Sequence, residues 1–124
     1  MNILIAEDDV GCQGLLRELL IDEPDLVPTI VNDGAEAWWL LSDPARKFGL
    51  GIIDIHMPRV NGVELLTRIR NTPGLHKLPV ILCTGMDDIQ PVAQAAALSV
   101  TEYVVKPYRL ADLLGKIKAI AAKG

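Results

Sequence analysis

Residues 3–9 read Ile3-Leu4-Ile5-Ala6-Glu7-Asp8-Asp9, an apolar run that ends abruptly in three acids. A short, continuous apolar run is typical of a strand that is buried on both faces, as in parallel sheets covered by helices. The acids mark the point where this strand ends. We therefore predict a buried parallel strand that delivers carboxylates to one edge of a sheet.

Similar apolar runs recur along the chain and alternate with helical stripes. The predicted strands cover residues 3–6, 27–31, 50–53, 79–83 and 101–105. The second contains Pro28, which cannot donate a ladder hydrogen bond, so we place this strand near an edge of the sheet. Five strands that alternate with five helices over short loops predict an α/β fold, a single domain over residues 1–124 with a doubly wound parallel sheet.

The spacing of apolar residues predicts which side of each helix is buried. The inward stripes of the first two helices are predicted to be Cys12, Leu15, Leu16 and Leu19, and then Gly34, Ala37, Trp38 and Leu41. The fourth helix is expected over residues 89–98. Trp39 and Leu40 fall outside the second stripe, on a face that should meet solvent. They indicate either a surface for a partner or a fold over the neighbouring helix edge, and the sequence leaves both open.

The composition excludes several classes of protein. Of the 124 residues, 50% are hydrophobic and 23% are charged, which is typical of a globular and not of a disordered chain. A net charge of −4 without a basic run argues against direct binding of nucleic acid. No apolar stretch reaches the roughly 18–20 residues of a membrane span, and the N-terminus has no signal peptide pattern. We expect a soluble, cytoplasmic domain that contacts no membrane, with Cys12 and Cys83 as packed thiols.

Four of the five predicted strands end in a residue that carries chemistry. The first ends in the three acids, the third in Asp54, the fourth in Thr84 and the fifth in Lys106. Ligands of open parallel sheets bind beyond the carboxyl ends of the strands. Carboxylates close together repel unless a cation joins them, and Mg²⁺ takes such hard oxygen ligands together with phosphate oxygens. A lysine and a threonine hydroxyl can donate to phosphoryl oxygens, and one Asp can act as the nucleophile. Together these residues predict phosphoryl transfer through an acyl phosphate.

Four motifs in register then resemble one family along essentially the whole chain. They are the opening stretch 3–9, Asp54-Ile55-His56-Met57-Pro58 with Asn61-Gly62, Cys83-Thr84-Gly85, and Tyr103-Val104-Val105-Lys106-Pro107. The chain resembles a response-regulator receiver domain, similar to the chemotaxis regulators of two-component signal transduction. The resemblance implies a flavodoxin-like (βα)₅ domain with strand order 2-1-3-4-5. It also implies a cis peptide bond between Lys106 and Pro107.

The resemblance implies a role for each acid. Asp54 is similar to the phospho-acceptor of the family. Asp8 resembles a direct Mg²⁺ ligand, together with the Asp54 carboxylate and the backbone carbonyl of His56. Glu7 resembles the second acid, which acts on the metal through a water. Asp9 occupies a less constrained place, where an anion at a helix N-terminus is expected instead of a ligand.

It also implies roles around the phosphoryl group. Thr84 and Lys106 resemble the residues that contact it, and Thr84 and Tyr103 resemble the pair that switches when it arrives. His56 and Met86 flank the group and resemble the positions that tune its lifetime. One departure from the family is Ser99, which stands where a glycine commonly ends the fourth helix.

The implied function is a signalling switch. Asp54 would accept a phosphoryl group from a histidine kinase or phosphotransfer protein, and helix four, strand five and helix five would then present a changed face to a downstream protein target or output domain. We expect no turnover of a substrate beyond self-catalysed phosphorylation and slow autodephosphorylation. Whether the chain is a stand-alone regulator or a receiver cut from a longer protein stays open.

Two other functions compete with the switch. A metal-dependent phosphohydrolase with an aspartyl-phosphate intermediate needs a second acid two residues after the nucleophile, where this chain has His56. A degenerate receiver that only binds proteins would not need the acids, the threonine and the lysine together. The sequence therefore favours the phospho-accepting switch over both.

Overall fold

The computed structural model describes residues 1–123, which form five parallel strands and five helices in strict alternation. The elements are β1 (Asn2–Ala6), α1 (Val10–Leu20), β2 (Val27–Val31), α2 (Gly34–Leu41), β3 (Leu50–Asp54), α3 (Gly62–Arg70), β4 (Val80–Thr84), α4 (Ile89–Ala96), β5 (Glu102–Val105) and α5 (Leu110–Lys123). The sheet order is β2-β1-β3-β4-β5. This confirms the predicted flavodoxin-like order and places the strand that contains Pro28 at an edge. Among the described residues, no helix is both long and apolar enough to cross a bilayer.

Alternate residues of the central strands fill two cores, one on each face of the sheet. Leu4 and Leu82 are fully buried and pack with α2, α3 and α4. Ile5 and Ile81 are also fully buried and pack with α1 and α5. Burial on both faces explains why β1, β3 and β4 read as continuous apolar runs in the sequence.

The predicted inward stripe of α1 is wrong in part. Leu15 is 46% exposed and Cys12 is only half-buried, whereas Gln13, Leu16 and Leu20 face the core. In this orientation the buried Gln13 amide donates to the carbonyl of Glu7 and to the side chain of Asn32. An apolar pattern counts a glutamine as outward and could not find this orientation.

The helix α2 also differs from the prediction, and α4 is shorter. Leu40 is buried, whereas it was expected on the solvent face. Trp38 is half-buried against the core, and the guanidinium of Arg68 lies 5.9 Å from its ring centre. Trp39 is 72% exposed, as expected.

Helix α4 ends at Ala96, two residues before the predicted end at residue 98. The chain then turns, and the amide of Leu98 donates to the carbonyl of Ala95.

The turn after α4 is held by an arginine. The Arg70 guanidinium donates to the carbonyls of Leu78 at 2.7 Å, Leu98 at 2.7 Å and Ser99 at 3.0 Å. Ser99 has φ 58°, in the left-handed region that favours glycine. Ser99, which stands where the family commonly has a glycine, therefore has a conformation that residues with a Cβ rarely adopt.

We expect the Ser99→Gly variant to be more stable than the wild type by about 1 kcal/mol, because glycine adopts a positive φ without the steric cost of a Cβ. Urea denaturation of both proteins measures the difference. Ser42→Gly is the matched control, since Ser42 ends α2 with φ −79° and its hydroxyl donates to the carbonyl of Trp38. That variant should lose stability, and a loss in Ser99→Gly as well would contradict the prediction.

Candidate functional site

Three carboxylates meet at the carboxyl edge of the sheet because β1 and β3 are neighbours. Glu7 and Asp8 follow β1 directly, and Asp54 is the last residue of β3. One carboxylate oxygen from each lies within 4.8 Å of the others. Glu7 and Asp54 are buried, with 2% and 7% exposure, whereas Asp8 is open to solvent. Asp9 lies outside this cluster and caps α1 by accepting from the amide of Cys12, as expected.

Lys106 directly follows the edge strand β5, and its side chain reaches the carboxylate cluster. Its Nζ donates to Oε1 of Glu7 at 2.5 Å and to Oδ2 of Asp54 at 3.0 Å. Burial by itself would lower the pKa of Lys106, but the hydrogen bonds to the two carboxylates outweigh burial and raise it. Burial raises the pKa of Glu7 although Lys106 works against this rise. The lysine is therefore held as a cation between two buried acids.

The donor set fits a hard divalent cation. All three side chains offer carboxylate oxygens, and a single ammonium opposes their charge. Ions such as Mg²⁺ and Mn²⁺ prefer such oxygen ligands and keep part of their water shell, which the exposed side at Asp8 permits. The amide of His56 donates to Oδ1 of Asp54 at 3.3 Å, so the peptide of His56 adjoins this cluster. Its carbonyl as a ligand stays a prediction.

Thr84 and Tyr103 are placed together beside the site. Thr84 ends β4 with 2% exposure, and its hydroxyl faces the carbonyl of Val104 at 3.5 Å and not the acids. The Tyr103 hydroxyl is buried and has no hydrogen-bond partner among residues 1–123. Both residues line a cavity of about 430 Å³ between α4 and β5, which also has Ile89 and Val92 in its wall. The peptide bond between Lys106 and Pro107 is cis, as the resemblance implied.

Two loops, β3–α3 and β4–α4, form the rim of the site. The sequence predicted His56 and Met86 there but not Asp88. His56 on the β3–α3 loop and Met86 on the β4–α4 loop are exposed, with values of 71% for the His56 side chain and 81% for Met86. Nε2 of His56 donates to Oδ1 of Asp88 at 2.6 Å. The hydrogen bond from the Gly85 amide, and then that from His56, lower the pKa of Asp88.

Sequence reasoning missed two residues of this region. Asp88 precedes α4, where an Asp is ordinarily expected to cap its own helix. Gln13 lies within α1 and holds the carbonyl of Glu7. Neither residue belongs to a motif; a glutamine inside an apolar stripe was the one available signal.

Cys83 is buried, which raises its pKa to about 12 and agrees with the prediction of a packed thiol.

Comparison with known proteins agrees with this arrangement. The model of the response regulator receiver domain family matches residues 3–118. The phosphate regulon transcriptional regulatory protein PhoB of Rhizobium meliloti (strain 1021) is 34% identical over 119 residues, which are 96% of this chain and 51% of PhoB. The chain spans about half the length of the curated relatives it matches.

Two solved structures of similar fold bear on the chemistry. The Mn²⁺-bound form of response regulator Rcp1 has a TM-score of 0.82 and 27% identity, over 96% of this chain and 90% of that one. The phosphorylated cyanobacterial phytochrome response regulator RcpA has a TM-score of 0.81 and 26% identity, over 96% and 89% of the two chains. A family match that runs through nearly the whole chain shows that it belongs to the response-regulator receiver domains of two-component signalling, a family phosphorylated on an aspartate with Mg²⁺.

Proposed function

We propose that Asp54 is the phospho-acceptor of this receiver, with Asp8, Asp54 and the backbone carbonyl of His56 as direct ligands of Mg²⁺ and Glu7 acting on the metal through a water. The observation that carries the proposal is the pairing of the buried Asp54 carboxylate with both a lysine and two further acids. A carboxylate oxygen of Asp54 can act as the nucleophile, and the Lys106 ammonium is placed to donate to the oxygens of an incoming phosphoryl group. The phosphorylated RcpA and the Mn²⁺-bound Rcp1 support both parts by similarity.

The transfer itself follows from the positions of these residues. An Oδ of Asp54 attacks phosphorus and forms a new P–O bond, while the bond from phosphorus to the donor breaks and its electron pair leaves with the donor. Lys106 donates to a phosphoryl oxygen in place of its present contact with Asp54. The acidic cluster would hold Mg²⁺, which when bound would neutralise part of the phosphoryl charge. Glu7 remains beside Lys106 and keeps the ammonium directed at the site.

The signal would leave the site through Thr84 and Tyr103. Thr84 is free to turn from the carbonyl of Val104 toward the phosphoryl group, since that hydrogen bond is long at 3.5 Å. The cavity beside it can then take the Tyr103 ring, whose buried hydroxyl has no partner to lose within residues 1–123. This would change the face made by α4, β5 and α5, where Ile89 and Val105 are exposed apolar residues.

The partners and the setting are proposed on the same basis. We propose a histidine kinase or phosphotransfer protein as the donor, and a downstream target or output domain as the receiver of the signal. The domain covers residues 1–124, acts in the cytoplasm and binds no nucleic acid itself. It works as a switch and not as a turnover enzyme, and His56 and Met86 at the rim set how long the phosphoryl group survives.

Intact mass spectrometry after incubation with acetyl phosphate tests the proposal. We expect one phosphoryl adduct on the wild type in the presence of Mg²⁺ and none when the metal is chelated. Protein that is folded by circular dichroism but takes no adduct, either from acetyl phosphate or from candidate kinases, would favour a binding module that works without phosphorylation.

Mg²⁺ is expected to stabilise the fold in a pH-dependent way. A ligand at a hundredfold excess over its Kd stabilises by about 2.7 kcal/mol. Because burial raises the pKa of Glu7 above its usual value, its carboxyl takes up a proton earlier than usual as the pH falls, and a neutral carboxyl supports a bound cation less well, directly or through a water. The Mg²⁺-induced rise in melting temperature should therefore be present near neutral pH and be lost as the pH falls through that raised pKa.

Melting curves with and without Mg²⁺ at several pH values measure this effect. The Glu7→Gln variant is the control, because it has no carboxyl to titrate at that position. Its Mg²⁺ effect should be smaller than that of the wild type and should depend less on pH over the same window. An unchanged pH dependence in Glu7→Gln would contradict the assignment to Glu7.

A further inference from the structure

A carboxylate on the β4–α4 loop holds an imidazole on the β3–α3 loop. Oδ1 of Asp88 accepts from Nε2 of His56 at 2.6 Å, and Oδ2 accepts from the amide of Gly85 at 2.5 Å. The Asp88 side chain is 11% exposed, so both contacts are shielded from solvent on the side of the acid. We call this contact between two loops the His56–Asp88 bridge.

Asp88 makes this bridge instead of the contact expected from its position. It is the N-cap residue of α4, where an Asp side chain ordinarily accepts from an amide of the first helical turn. Asp9 and Asp33 do so for α1 and α2. The carboxylate of Asp88 makes no such hydrogen bond. Its two oxygens are instead used on the loop that follows Thr84 and on the imidazole.

The bridge fixes the His56 ring beside the proposed acceptor. At one end the amide of His56 donates to Oδ1 of Asp54 at 3.3 Å, and at the other Nε2 is held by Asp88. The ring therefore connects the two loops that flank the Asp54 carboxylate, which is 7% exposed. A ring held there would narrow the path by which water reaches a phosphoryl group on Asp54.

We propose that Asp88 is a positioning residue that prolongs the life of the phosphoryl group on Asp54 by holding the His56 ring across the rim. The inference rests on the proposed function, since it concerns the loss of that group. In hydrolysis the oxygen of water bonds to phosphorus and the P–O bond to Asp54 breaks. The electron pair stays on the Asp54 carboxylate, and phosphate and a proton are released. Asp88 takes no part in these steps and acts only through the ring.

The test measures the half-life of the phosphorylated protein after the donor is removed, by intact mass. Asp88→Ala and His56→Ala are each expected to shorten the half-life about fivefold, because each opens the rim to water. The double variant should lose no more than either single one, since both changes remove the same barrier. Asp87→Ala is the matched control: it removes an exposed acid from the same loop, and its half-life should match the wild type.

A spectroscopic measurement separates positioning from a general loss of structure. The ¹⁵N chemical shifts of the His56 ring report on the hydrogen bond between Nε2 and the Asp88 carboxylate. These shifts should change in Asp88→Ala and stay as in the wild type in Asp87→Ala.

Each remaining outcome decides against the inference. A half-life in Asp88→Ala within twofold of the wild type would overturn it, as would a longer one, which would make the held imidazole an aid to hydrolysis. Effects of the two single variants that multiply in the double variant would show that Asp88 does not act through His56. No adduct on the wild type would overturn the proposed function as well, whereas an adduct with unchanged lifetimes would overturn this inference alone.

Discussion

The Asp54→Asn variant is expected to take up no phosphoryl group from acetyl phosphate and Mg²⁺, although it folds like the wild type. The amide has no anionic oxygen to attack phosphorus, so the loss should be complete. The fold should persist because the Asn oxygen can still accept from Nζ of Lys106, which lies 3.0 Å from Oδ2 of Asp54. Intact mass of both proteins after the same incubation measures the difference.

Asp43→Asn serves as the control for this exchange. It makes the same chemical change at a half-exposed acid just after α2, outside the carboxylate cluster. It should take up one phosphoryl group, as the wild type does. An adduct of the same yield on Asp54→Asn would mean that another residue is the acceptor, and Glu7 and Asp8 would then be the first to examine by peptide mapping.

Replacing Gly62 with alanine is expected to destabilise the fold by about 3 kcal/mol or more. A Cβ at this position would lie 2.4 Å from the carbonyl oxygen of Asp54 and 2.8 Å from Cα of Ile55. Both atoms belong to the backbone, so no side chain can turn away to make room. The amide of Gly62 also donates to the carbonyl of Ile55 at 2.8 Å, which fixes the close approach. The clash would therefore displace the end of β3 that carries Asp54.

Urea denaturation measures the loss, and the yield of phosphoryl adduct measures the displacement of the site. Gly115→Ala is the matched control, because a Cβ there meets nothing within 4 Å inside α5. That variant should gain about 1 kcal/mol from the higher helix propensity of alanine. A loss below about 1 kcal/mol in Gly62→Ala would contradict the structure around the end of β3.

Much of the fold and the site could be predicted because their signals are local. The strands β1, β3 and β4 are buried on both faces, and their continuous apolar runs predict this burial. The carboxyl ends of parallel strands meet at one edge of a sheet. A parallel sheet therefore predicts that Glu7, Asp54 and Lys106 lie close together, and Lys106 contacts both acids. The order of the strands followed from the family resemblance and was confirmed.

The orientation of the helices is where prediction failed. Leu15 was expected inside and is 46% exposed, and Leu40 was expected outside and is buried. Neighbouring positions on a helix differ by about 100°. A modest rotation therefore moves a residue at the edge of the apolar stripe across the boundary between core and solvent, as it does for Leu15 and Leu40. Only the packing against the sheet and the neighbouring helices decides that rotation.

The sequence by itself thus determined the class of fold, the edge where the chemistry lies and the acids and lysine that lie there. The tertiary structure alone decided which of these groups are buried, how Lys106 divides its hydrogen bonds between Glu7 and Asp54, and that Asp88 holds His56 across the rim. The reason is physical: a strand end can be recognised from a few consecutive residues. A contact between two loops depends on side chains 32 positions apart, whose distance no local pattern contains.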